Sequence, residues 1–298
     1  MAAHTPVAGW LFTYRPEWLP ADILAGVSVA AVALPIAIAY SQLAGVPPVY
    51  GLYASLLPLV AYAFLGSSRQ LIVAPDAATC TIVAAVVAPL AAHDPARYVP
   101  LTAALAMITG VFCIAAGLAR LGFLTNFLAR PILTGYLNGI AIYIIAGQLG
   151  ALFGFSVESA GFFRLTWQFL SRLGETHVPT LAVGATTLVV LLLLARVAPK
   201  LPGPLIAVAL GIACSAMLGF ADLGVRLLGE IPAGLPAFTV PAIAASDWEP
   251  LALGAAGLAL ISYNSAMVTA GGFAAKNPYE IDPNREFIAL GVANVGAG

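Results

Sequence analysis

Charge is what this sequence has least of: charged residues make up 8% of its 298 positions, against about 25% in a soluble domain. A chain so poor in charge cannot coat itself for water, and a hydrophobic share of 61% makes lipid its solvent. Cysteine is scarce too. Cys80, Cys113 and Cys214 each fall inside an apolar run with no Cys-x-x-Cys or Cys/His spacing, so they are expected to behave as small hydrophobes. His4, His93 and His177 lie in separate tails or loops, which predicts no metal-ligand cluster. No block of Lys and Arg offers a nucleic-acid surface, and a net charge of −1 assigns no partner.

The first residues lack a further feature. Met1 to Pro20 has no apolar core followed by a small-residue cleavage site, so it does not read as a removable signal. Trp10, Phe12, Tyr14 and Trp18, with Arg15 and Glu17, instead suit a segment lying among lipid headgroups.

What the chain has is apolar runs. A hydrocarbon core of about 30 Å needs roughly 20 helical residues. Runs near 22–44, 50–66, 76–92, 99–119, 131–153, 179–197, 203–220 and 251–271 meet or approach that length, and a ninth begins near 286. Alternation puts the N-terminus and the connections at 67–70, 120–130, 196–202 and 272–286 on one side. That side carries eight of the twelve Lys and Arg. The positive-inside rule therefore places the N-terminus in the cytoplasm of a cell inner (plasma) membrane. On the outer side, residues 155–178 interleave Phe162, Phe163, Trp167 and Phe169 with Arg164 and Arg172, which fits an amphipathic surface helix or a plain loop.

Two spans are interrupted. After the turn at Ser67, Ser68 and Arg69, residues 70–74 read as a short extended segment before Pro75 and Asp76. Five extended residues climb about 16 Å, half of the hydrocarbon core. A helix that starts there opens in mid-membrane, with Asp76, Thr79 and Thr81 at its mouth and Pro75 at its first turn. Such an opening offers free N–H groups and a positive dipole end to an anion. Pro35 bends the first span close to Tyr40, whose polar tip could face a cavity. Asp76 is the ionisable residue placed well inside a span, as a helix cap or as part of an ion or proton pathway. Ser262, Ser265 and Thr269 share one face of the eighth span, either lining a site or bonding helix to helix.

Several ordered segments carry a resemblance. Asp22-Ile-Leu-Ala-Gly26, Leu34-Pro35 with Ala39-Tyr40, Leu43-Ala-Gly-Val-Pro-Pro-Val-Tyr-Gly-Leu-Tyr53 and Leu65-Gly-Ser-Ser-Arg69 come first. Gly122-Phe-Leu, Arg130-Pro131, Gly135-Tyr136, Gln148-Leu149 and Ile281-Asp-Pro-Asn-Arg-Glu286 through Asn294 come after them. Together they resemble the SulP family of sulfate permeases and related anion transporters.

The resemblance implies an all-α polytopic membrane protein built on two inverted seven-helix repeats. A core domain would move against a gate domain, with a cytoplasmic STAS domain after them and a homodimer in the full-length form. On that plan residues 1–21 are a cytoplasmic or interfacial segment and 22–220 the first repeat. Residues 221–250 would form an extracytoplasmic loop, and 251–298 the truncated start of the second repeat. The family's anion sits between the openings of its third and tenth membrane helices. The tenth is not in this sequence, so the chain is expected to hold an incomplete site, as a piece of a longer protein.

Carried over position by position, the first-helix contacts fall on Ile36 and Tyr40, and the third-helix opening on Asp76, Ala77 and Ala78. A position often held by a carboxylate falls on Ser265, one turn before Thr269, and Ile36 replaces a frequent glutamine. Asp76, Ser265 and Thr269 are then the candidates for a coupling ion, Na⁺ or H⁺, with no other cofactor expected. The implied function is secondary transport of sulfate, bicarbonate or a dicarboxylate by symport or exchange. A nucleobase permease of the same fold, and a non-transporting half-protein completed by a partner, are the alternatives. A membrane enzyme would need polar catalytic groups clustered at one depth, and none is visible.

Overall fold

The structure, a computed structural model, describes residues 14–92, 94–123, 130–157, 162–199, 201, 203–227, 234, 241–277 and 279–298. The regular elements are helices: α1 (Leu19–Leu43), α2 (Pro48–Leu65), α3 (Ala77–Ala91), α4 (Pro95–Leu118), α5 (Arg130–Phe153), α6 (Phe162–Ser171), α7 (Val178–Val197), α8 (Gly203–Leu218), α9 (Trp248–Ala274) and α10 (Pro283–Ala297). No strand forms among the described residues. His4, Trp10, Phe12, His93 and Lys200 lie outside those residues.

Helix starts follow local chemistry. Pro48, Pro95 and Pro283 occupy first turns, where a missing N–H costs nothing. Asp76, Asp94 and Asp282 each stand just ahead of a helix and accept from its first amides. Five helical segments are long and apolar enough to cross a membrane: Pro16–Leu43, Pro48–Leu65, Pro95–Leu118, Val178–Val197 and Ala245–Ala274. Pro35 does not end α1, which runs on to Leu43. In hydrocarbon every backbone group released from the helix would need another partner, so the helix persists through its proline.

Two compact units divide the chain. The first comprises Met1–Asp22, Ala33–Leu133 and Pro232–Gly298. In its core, Val87 and Ala91 of α3, Leu101, Ala104 and Leu105 of α4, and Leu251, Ala255 and Leu258 of α9 are buried together. Further along α4 and α9, Cys113, Ala259 and Tyr263 form a second cluster with Phe287 and Leu290 of α10, in which the rings of Tyr263 and Phe287 stack at 9°. α4 and α10 approach through glycine. A Cβ on Gly291 would lie 2.7 Å from the Gly110 carbonyl oxygen and 2.8 Å from the Ile114 nitrogen. With no bulk hydrophobic effect between helices in lipid, close backbone approach of this kind is the main source of association.

The second unit comprises Ile23–Val32 and Thr134–Ile231. Within it α7 packs beside α8 and buries none of its side chains, so its Leu188, Val189, Leu192 and Leu193 stay exposed. The amphipathic reading of 155–178 becomes α6. Leu165 and Phe169 face inward, Phe169 meeting the rings of Phe153 and Phe155, while Phe163, Trp167 and Leu170 remain exposed.

Candidate functional site

α3 has 15 residues, roughly 22 Å at 1.5 Å per residue, which falls short of a core of about 30 Å. Residues 71–76 lead into it with no helix and no ladder. Asp76 itself is extended, at φ −121° and ψ 159°.

The Asp76 side chain turns back onto the opening it precedes. Its Oδ1 accepts from the Ala78 amide at 2.9 Å and the Thr79 amide at 3.0 Å, and its Oδ2 accepts from the Thr79 hydroxyl at 2.8 Å. The Asp76 backbone oxygen takes the Cys80 amide at 3.0 Å. Two of the amides that could hold an anion are therefore held by the protein's own carboxylate. Among the described residues the ion pairs are Arg97–Asp247 and Arg172–Glu175, so no cation is paired with Asp76.

Tyr40 meets this opening from α1. It packs on Ala44, Val46 and Cys80 and lies within electrostatic reach of Asp76. Gly45, at φ +82°, turns the chain at the end of α1, and Ala44 just before it gives its carbonyl to the Tyr98 hydroxyl at 2.9 Å. That bond closes the cluster around Cys80 from the α4 side. Ile36 lies one turn before Tyr40 and is exposed.

α9 runs antiparallel to α3. Val86 sits against Gly254, whereas Val73, ahead of α3, packs on the cluster containing Tyr263. Counting back from Val86 brings Asp76 level with residues 262–265 of α9. There Ser265 is half-buried, and its carbonyl accepts from the exposed Thr269 hydroxyl at 3.0 Å. The buried Asn264 Oδ1 has no hydrogen-bond partner among the described residues. A buried unmet acceptor is rare and marks a place where a donor or a cation would be stabilised.

The sequence singles out Asp76 among the acids and places the others in loops or at span ends. Two of those are in fact buried. Asp247 pairs with Arg97, and Glu286, in the first turn of α10, has no exposed surface at all. The Glu286 carboxylate accepts from the Tyr62 hydroxyl and from the Ser67 amide and hydroxyl, each at 2.7 Å, and from the Ser68 amide at 3.3 Å. The signal for it was a carboxylate in the first turn of α10, directly ahead of the apolar run 287–293. Its partners lie too far away in sequence to be read from it.

The sequence and the fold have counterparts among known proteins. A family model described as the sulfate permease family matches residues 19–298. A probable sulfate transporter of Mycobacterium tuberculosis is 43% identical over 285 residues, 96% of this chain and 51% of that protein. The chloroplastic sulfate transporter 4.1 of Arabidopsis thaliana is 32% identical, over 97% of this chain and 43% of its own length. Among solved structures, murine Solute Carrier 26 family member A9, an anion transporter in its inward-facing state, superposes with a TM-score of 0.84 at 25% identity, over 98% of this chain and 52% of that one. The transmembrane domain of a cyanobacterial bicarbonate transporter gives 0.80 at 28% identity, over 95% of this chain and 72% of its own. The chain spans about half the length, or less, of the curated relatives it matches. The relatives named are transporters, not enzymes.

Proposed function

Because this chain belongs to the sulfate permease family, we propose that it is the front part of a secondary transporter for a small anion: sulfate, bicarbonate or a dicarboxylate. One observation carries the reading. α3 is too short to span, and a non-helical lead, residues 71–76, brings it to an opening capped by Asp76. Irregular backbone at membrane depth is tolerated where it lines a protein-walled, wetted cavity, which is where transporters bind their cargo.

The substrate-binding set is Ile36, Tyr40, Asp76, Ala77, Ala78 and Ser265, with Asp76, Ser265 and Thr269 serving the coupling ion. The capping geometry supplies a reason for coupling. An anion that approaches the Ala78 and Thr79 amides meets the Asp76 carboxylate already on them. Two like charges at that distance in a low-dielectric site repel strongly. A proton or Na⁺ on Asp76 removes the repulsion and frees the amides, so ion and anion bind together. The unmet Asn264 oxygen at the same level supports a cation there. This makes the transport symport, with core moving against gate, and anion exchange the alternative coupling. Residues 22–220 are then the first repeat and 251–298 the opening of the second. The full-length protein is a homodimer in the inner membrane with its N-terminus in the cytoplasm.

The test is uptake of radiolabelled sulfate and bicarbonate into proteoliposomes holding the longest reading frame that contains this chain, with and without Na⁺ and pH gradients. Uptake that follows one gradient supports the reading, and Asp76→Asn should abolish that dependence. No uptake of either anion by folded full-length protein moves the assignment to dicarboxylates or nucleobases. Equal gradient dependence in Asp76→Asn makes Asp76 a cap and nothing more.

A further inference from the structure

Seven residues lie between Ser68 and Asp76, and none of residues 71–76 is helical. A segment without its own hydrogen-bonded ladder does not fix the height or direction of the helix it leads into. Its near end must be held from outside, and Glu286 holds it.

The Glu286 carboxylate is fully buried and takes four hydrogen bonds, three of them from the Ser67 amide, the Ser67 hydroxyl and the Ser68 amide. The fourth comes from Tyr62, in the last turn of α2. Burying a carboxylate is costly unless donors replace its water. This one has donors and no paired cation among the described residues. Charge-assisted bonds of this kind are about twice as strong as neutral ones.

Neighbouring bonds tighten the same turn. The Ser67 hydroxyl also accepts the Asp282 amide at 3.1 Å, and the Arg285 Nε donates to the Leu65 carbonyl at 2.7 Å. The Ser68 hydroxyl accepts from the Leu71 amide at 3.2 Å, and Tyr279 donates to Gln70. Gly66 is required beside the clasp, because a Cβ there would meet the Tyr62 ring at 2.6 and 2.8 Å and push its hydroxyl off Glu286.

We propose that Glu286 is a positioning residue for anion binding: through Ser67 and Ser68 it anchors the non-helical lead, and so sets where the Asp76 opening of α3 stands. The inference rests on the anion-transport reading for its effect on affinity. Its structural half, the anchoring, can be measured without transport.

The experiment uses full-length protein as wild type, Glu286→Gln, Tyr62→Phe and Ser67→Ala, in proteoliposomes for sulfate uptake and in nanodiscs for amide exchange by mass spectrometry. Glu286→Gln should raise the KM for sulfate about tenfold, the equivalent of one lost charge-assisted hydrogen bond, with Vmax changed less. Tyr62→Phe and Ser67→Ala should raise it by smaller factors. Exchange in Glu286→Gln should quicken over residues 68–79 and not over 101–113 in α4. An unchanged KM with unchanged exchange over 68–79 overturns the proposal. So does exchange that rises equally throughout, which is the mark of a merely structural residue. If Glu286→Gln does not fold, the two milder variants are judged by the same criteria. If wild type carries no anion, the functional reading falls, and the exchange pattern alone decides the anchor.

Discussion

Arg97 and Asp247 form a 2.8 Å ion pair across 150 residues of sequence. The first lies in the opening turn of α4, the second directly before α9, so the pair ties together the starts of two helices that share the main core. The Asp247 side chain is 8% exposed and that of Arg97 42%, so solvent screens the pair from one side only. Asp247→Asn should lower stability by about 1–3 kcal/mol. Thermal unfolding in detergent reads the loss, and a cycle with Arg97→Gln should show most of it to be coupling between the two.

Gly291→Ala should cost more than a surface change. Its added carbon must displace the Ile114 side chain or the Gly110 backbone, and overpacking of this kind costs about 1–3 kcal/mol. Gly257→Ala on α9, where nothing lies within 4 Å, should leave the melting temperature unchanged or slightly raised. Equal melting temperatures for the two variants would remove the close α4–α10 contact from the account.

Asp76→Ala should loosen α3 by about 1 kcal/mol through loss of the cap alone, and Asp76→Asn by less, since the amide oxygen can still accept. A difference between these variants in stability, set against equal loss of ion coupling, would separate the capping role from the charge. Unfolding and uptake measured on the same preparations make that comparison.

Trp167 and Phe163 are exposed beside Arg164 on α6, an arrangement that suits an interfacial helix. In liposomes containing dibrominated lipid, wild-type protein should lose tryptophan emission that Trp167→Phe does not lose. Equal quenching in both would take α6 off the bilayer surface.

The Arg172 side chain holds the Glu175 carboxyl below its ordinary range, chiefly by hydrogen bonding, in the turn just past α6. A depressed carboxyl contributes stability above its unfolded pKa and loses it as pH falls through the lower folded value. Acidification below about 4 should therefore shift Trp167 emission in wild type. The same step in Glu175→Gln, which has no charge to lose, should shift it less.

The membrane spans were legible because lipid imposes a simple code, and apolar runs between charges matched the helices to within a few residues. α6 was legible for a related reason, the interleaving of rings with Arg164 and Arg172. Pro35 reads in the sequence as an interruption of α1, and the helix runs through it, since hydrocarbon offers a broken helix no replacement partners. Asp76 as a cap was one of the two roles its position allowed. Asp247, Glu286 and the Gly110–Gly291 approach were not legible, because each takes its meaning from a partner more than a hundred residues away. Sequence distance hides such pairs, and neither periodicity nor propensity encodes them.

That distance has a consequence in time. Another 219 residues must be added after Ser67 before Glu286 is made, and synthesis at about 5–20 residues per second takes roughly 11–44 s to cover them. Throughout that interval the Ser67 amide and hydroxyl and the Ser68 amide lack the carboxylate that binds them, and from the moment α4 is made its glycine face lies uncovered. The growing protein must therefore keep these groups hydrated or sheltered by the insertion machinery until α10 arrives, so α10 closes what α2 began.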